Sequence, residues 1–183
     1  MELRQNNCCA LVIDYQERLV PAMDRKEELI ENSVKLLKGL NMLEIPMLVT
    51  EQYPKGLGAT VSEIKEALGD APIFAKTAFS ALGCEEVMEQ LKKLKAEGRE
   101  YVLICGIEGH VCVLQSALDL IKNGFKPVFV TDCITSRRCS DYMAAVVRAE
   151  KEGVQFVTTE MALFELIGGK EHPHFKAISA LVK

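Results

Sequence analysis

The sequence predicts an α/β fold: a doubly wound, six-stranded, mostly parallel sheet of strand order 3-2-1-4-5-6, with helices on both faces. Three observations carry this. Short apolar runs alternate with amphipathic helical patterns, the runs are continuously apolar, and glycines close several helical segments just before the next run. Continuous apolarity is what a parallel strand covered on both faces requires.

The strand candidates are residues 8–14, 46–50, 72–74, 101–106, 126–131 and 154–158. Between them, Leu29, Ile30, Val34, Leu37 and Leu40 recur at helical spacing, as do Val87, Met88, Leu91 and Leu94. Gly98, Gly124 and Gly153 stand where a left-handed helix C-cap is wanted. There is no repeat, low-complexity tract or linker in the 183 residues, so residues 1–183 read as one domain with one core.

Composition narrows the function. A net charge of −4 with interspersed signs offers no basic stripe for phosphates, which argues against nucleic acid as a partner. No apolar run reaches membrane-spanning length, and residues 1–5 lack a signal peptide's apolar core; the expectation is a cytoplasmic protein with a small-molecule substrate and no membrane association. Seven cysteines, an odd number without Cys-x-x-Cys spacing, read as reduced thiols, with Cys8, Cys9, Cys105 and Cys133 as small core hydrophobes.

In doubly wound folds function gathers at the carboxyl ends of the strands, where the strand order reverses. Asp14 ends the first strand, Lys76 follows the third, and Cys112 follows the fourth within Gly106-Ile107-Glu108-Gly109-His110-Val111-Cys112-Val113. The predicted order makes strands one and four neighbours, so Asp14 and Cys112 face each other. A thiol in the first turn of a helix feels the positive end of the macrodipole, which favours thiolate. A carboxylate beside it can take its proton, and an ammonium close to both stabilises the anion. Tyr53 and Phe79 offer apolar walls and Gln16 and Gln52 polar contacts to a small ligand, although aromatics also serve as core packing.

Blander readings compete. A lone cysteine is more often a buried, inert thiol, Asp14 could be a turn residue, and most lysines are solvated. Asp132 reads as a turn residue, and His110, two residues from Cys112, as structural or pocket-edge. His172 and His174 read as part of a polar loop. Neither a metal nor a cofactor is expected.

Asp14 with Gln16, the run Lys76-Thr77-Ala78-Phe79-Ser80-Ala81, Gly106-Ile107-Glu108 with Cys112-Val113, and Val130-Thr131-Asp132 with Ser136-Arg137 together resemble the isochorismatase-like cysteine hydrolases. The resemblance continues through Gly153-Val154-Gln155, Thr158-Thr159-Glu160 and Leu163-Phe164-Glu165. Residues 50–58 resemble the isochorismatase domain-containing subgroup. The likeness implies a Cys112 nucleophile, Asp14 as general base, Lys76 as electrostatic partner and a thioester-type acyl-enzyme. It also implies a cis Ile107–Glu108 peptide, an oxyanion hole from the N–H groups of Glu108 and Cys112, and a homo-oligomer. Nicotinamidases of this superfamily carry an Asp-x-His metal motif where this chain reads Gln52-Tyr53-Pro54, which speaks against a catalytic metal. Three functions follow: a metal-independent hydrolase of a small amide or related carbonyl compound, a redox-responsive thiol protein, or a non-catalytic binding or scaffold protein.

Overall fold

The sheet grows outward from its middle. In the computed structural model, which describes all 183 residues, β1 (Cys8–Ile13) pairs with both β2 (Met47–Gln52) and β4 (Tyr101–Gly106). β3 (Ile73–Lys76) lies outside β2, while β5 (Lys126–Ile134) and β6 (Gln155–Val157) continue beyond β4. Every pairing is parallel and the order is β3-β2-β1-β4-β5-β6, as the sequence predicts. The order reverses between β1 and β4, which opens a crevice at their carboxyl ends.

Successive strand residues point to opposite faces, and both faces are apolar. Cys8, Ala10 and Val12 join the core under α1 (Lys26–Met42), α3 (Ser62–Leu68), α7 (Thr159–Ile167) and α8 (Phe175–Leu181). Cys9, Leu11 and Ile13 join the other core, under α4 (Glu85–Ala96), α5 (Leu114–Lys122) and α6 (Cys139–Lys151). A short helix, α2 (Pro54–Leu57), follows β2. Glu85 and Glu86 in the first turn of α4, and Lys93 and Lys95 in its last, match the charge at each end of the helix dipole. Gly98, Gly124 and Gly153 all take positive φ after their helices.

Several strand ends differ from the sequence reading, for reasons of pairing. β2 and β3 run on to Gln52 and Lys76 because those two residues are register partners at the sheet's edge. β1 stops at Ile13, because Asp14 turns out of the strand at φ 55. β5 continues through Asp132 to Ile134, with a register shift against β4 between Ile104 and Gly106.

Gly106 is needed where it stands. At φ +132, a Cβ there would lie 2.1 Å from the Ile13 carbonyl oxygen. Its lack of a side chain lets β1 and β4 close together at the mouth of the crevice.

Candidate active site

Asp14 stands one residue beyond β1, between the ends of β2 and β4, where Ile13 is the register partner of both Thr50 and Gly106. Aspartate tolerates the left-handed conformation better than most residues. A Gln16 N–H bond to the Asp14 carbonyl (2.7 Å) fixes the tight turn. The turn sends the carboxylate across the crevice: Oδ1 accepts from Thr50 Oγ1 at 2.7 Å and Oδ2 from Lys76 Nζ at 2.7 Å. Both ionic side chains are completely shielded from solvent. Lys76 also donates to Gln52 Oε1 (2.7 Å), the Phe79 carbonyl (3.1 Å) and the Ala78 carbonyl (3.3 Å).

Cys112 lies in a π-helical turn, Gly109–Val113, that leads directly into α5. The residue is buried, and Asp14 and Lys76 are the charged groups that act on its thiol. The ionisation differs from the thiolate read from the helix start. Burial pushes the Cys112 thiol up to about 12, the Asp14 charge adds to the rise, and Lys76 opposes it. Desolvation outweighs the helix end, and the resting sulfur is a thiol. Burial likewise raises Asp14 above the ordinary carboxylate value, against the pull of Lys76 and Thr50.

The peptide between Ile107 and Glu108 is cis. The Glu108 N–H donates to no group within the chain, whereas the Glu108 carbonyl accepts from Val111 and Val113. The Glu108 carboxylate binds Arg137 through the latter's backbone N–H (3.0 Å) and Nε (3.0 and 3.1 Å).

Gln16 proves to be a brace rather than the ligand contact its residue type suggests. It is fully buried, its Nε2 donates to the carbonyls of Gln52 (3.0 Å) and Gly58 (2.7 Å), and its Oε1 accepts from Gln52 N–H (2.7 Å). Tyr53 and Phe79 are both 55% exposed, which excludes core packing for either. Tyr53 borders a groove of about 470 Å³ shared with Lys55, Lys76 and Cys84; Cys112 is not part of its lining.

Asp132 lies within β5 rather than in a turn, its Oδ1 accepting from Thr159 N–H (2.9 Å) and Oγ1 (3.2 Å) at the start of α7. His110 Nδ1 pairs with Ser136 Oγ at 2.9 Å. The His172 and His174 rings lie 5.7 Å apart, and no group of three or more His, Cys, Asp or Glu side chains is placed to hold a metal ion. Thr50 escaped the sequence reading because a threonine at a strand end is unremarkable. Its place beside Asp14 follows only from the β1–β2 register.

The fold is shared with known hydrolases. The YcaC gene product of Escherichia coli, described as an octameric hydrolase of unknown specificity, superposes with a TM-score of 0.90 at 25% identity, over 99% of this chain and 89% of that one. The isochorismatase domain matches residues 8–161, and the chain belongs to the isochorismatase family, whose hydrolase fold it carries. Isochorismatase domain-containing protein 1 of Danio rerio is 41% identical over 178 residues, covering 96% of this chain and 59% of that protein. The chain thus spans about three fifths of that relative's length. A structure described as the MAR1 ribonuclease of Caenorhabditis elegans has a TM-score of 0.93 at 37% identity, over 100% of this chain and 92% of that one. No helix of the chain is long and apolar enough to cross a membrane.

Proposed function

We propose that this protein is a metal-independent cysteine hydrolase of a small amide or related carbonyl compound, with Cys112 as nucleophile, Asp14 as general base and Lys76 as electrostatic partner. The observation that carries the reading is the buried Lys76–Asp14 pair, 2.7 Å apart, whose two charges both act on the Cys112 thiol. Since the resting sulfur is protonated, attack and proton transfer are coupled: Sγ bonds to the carbonyl carbon as its proton passes to Asp14. The carbonyl π electrons move onto oxygen, where the free Glu108 N–H, with that of Cys112, supplies hydrogen bonds. Collapse breaks the C–N bond, and Asp14 returns the proton to the leaving amine. Water, deprotonated by Asp14, then cleaves the thioester and Cys112 regains its proton.

Lys76 has its short contacts within the protein, so its contribution is a fixed positive potential rather than a bond to substrate. Tyr53 and Phe79 supply apolar surface at the mouth. The positions that would carry a metal motif, Gln52-Tyr53-Pro54, hold neither carboxylate nor imidazole, which supports the metal-independent form. The Lys76–Asp14 pair gives the thiol a built-in base and cation, which supports the hydrolase reading over the redox one. A homo-oligomer, a small-molecule substrate and a cytoplasmic location complete the proposal.

The test is a panel of small amides, ureas and thioesters, with amine release and mass spectrometry of the trapped protein as readouts. Turnover with an acyl adduct on Cys112, lost in Cys112→Ala and unchanged by chelators, is the expected result. An RNA oligonucleotide in the same panel covers the activity named for the nematode neighbour. Cleavage of RNA or amide that persists in Cys112→Ala would overturn the proposal.

A further inference from the structure

We propose that Gln52 is a positioning residue, which holds the Lys76 ammonium against Asp14 and the thiol, and not a ligand contact. The inference rests on the cysteine-hydrolase reading and adds the part that fixes its cation. Both ends of the Gln52 carboxamide are occupied within the protein: Oε1 accepts from Lys76 Nζ at 2.7 Å and Nε2 donates to the Thr77 carbonyl at 2.8 Å. Its backbone is fixed as well, because Gln16 bonds both the N–H and the carbonyl of Gln52. Strand register sets Gln52 directly opposite Lys76 on the neighbouring strand.

Lysine presents three protons on a flexible four-carbon stem. Of the four oxygens around Nζ, the two nearest belong to Asp14 and Gln52, each at 2.7 Å; the carbonyls of Phe79 and Ala78 are longer, at 3.1 and 3.3 Å. Removing the Gln52 oxygen leaves one short contact, to the group that must itself take and release a proton. A neutral acceptor suits the task. A carboxylate at position 52 would divide the ammonium's charge between two anions, whereas a carboxamide anchors the cation and leaves its field for Asp14 and the sulfur. The ionisable groups coupled to Lys76 are Asp14 and Cys112, while Tyr53, Lys55, Cys84, Glu85 and Glu86 line the groove it borders. Glu51, the one ionisable residue of β2, is bonded to Thr60 instead.

The experiment needs no substrate. Iodoacetamide alkylation of the full chain is followed across pH by peptide mass spectrometry in wild type, Gln52→Met, Lys76→Met, the double variant and Asp14→Asn. Cys139, the exposed cysteine, serves as internal reference. Gln52→Met is expected to slow Cys112 alkylation at least tenfold at a fixed alkaline pH, to shift the rise of its rate with pH upward, and to leave Cys139 unchanged. The double variant is expected to match Lys76→Met, because Gln52 acts through Lys76. An unchanged rate and pH dependence in Gln52→Met, or losses that multiply in the double variant, would overturn the inference. Thermal unfolding checks each fold, with Gln52→Ala replacing Gln52→Met if the latter does not fold. Should Asp14→Asn alkylate at Cys112 like wild type, the nucleophile reading falls and this inference with it; dependence on Asp14 with an inert Gln52→Met refutes the role of Gln52 alone.

Discussion

Thr50 Oγ1 donates to Asp14 Oδ1 at 2.7 Å, on the carboxylate oxygen that Lys76 does not touch. Each oxygen of the buried carboxylate thus has one donor, and the two donors come from different strands. Thr50→Val removes one of them at nearly constant volume. A stability loss of about 1–3 kcal/mol is expected by urea denaturation, the typical cost of leaving a buried acceptor unpaired. The Thr50 bond also lowers the Asp14 value, so its loss raises Asp14 further. A base must be ionised to act, so the acidic limb of the pH–rate profile is expected to move to higher pH.

Burial pushes the Cys8 thiol up to about 11 and those of Cys9 and Cys105 up to about 12. A free thiol titrates near ~8.5 in the unfolded chain. Folded values raised in this way mean that the unfolded state loses its protons first as pH rises. The thiols' contribution to stability is therefore whole below about pH 8.5 and declines as pH climbs toward the folded values. Urea midpoints across this range should fall on the alkaline side. Cys9→Ala is expected to be about 1 kcal/mol less stable at neutral pH, from the small cavity, yet to show a shallower alkaline decline.

Gly106 and Gly98 both hold positive φ, but they differ in surroundings: a Cβ at Gly106 would strike the Ile13 carbonyl oxygen, while nothing lies within 4 Å of one at Gly98. Alanine at Gly98 is expected to cost about 1 kcal/mol, the backbone term alone. At Gly106 it should cost more than about 3 kcal/mol and open the crevice beside Asp14. Equal denaturation midpoints for the two variants would contradict this account.

Asp132, on β5, accepts the first N–H of α7 beside the N-cap Thr158 and takes no part in the proposed chemistry. Asp132→Ala should lose about 1 kcal/mol of stability, as other helix-cap removals do. Its Cys112 alkylation rate and its turnover should stay at the wild-type level.

Strand interiors were legible because parallel strands between two helical layers are apolar throughout, and runs such as Leu11-Val12-Ile13 and Val102-Leu103-Ile104 show it directly. Strand ends were not, since β2 and β3 stop where Gln52 meets Lys76, a matter of pairing rather than of either residue's preference. The meeting of Asp14 and Lys76 could be anticipated from their places after strands one and three. What surrounds them could not: the carbonyls of Ala78 and Phe79 leave no mark on a sequence. A buried glutamine such as Gln16 reads like a solvent-facing one. The rise that burial imposes on the Cys112 thiol is hidden for a related reason, since helix position is visible in sequence and depth of burial is not.

β3 has only four residues and forms one margin of the sheet, with Ile73 at its outer end 40% exposed, whereas β1 sits at the centre. The anion of the Asp14–Lys76 pair is thus anchored on the central strand and the cation on one of the sheet's two edge strands, where loosening begins. Mild denaturant or gentle warming should detach this margin first and silence the thiol while most of the secondary structure persists. Loss of reactivity would then report peripheral loosening well before the cooperative collapse seen by circular dichroism.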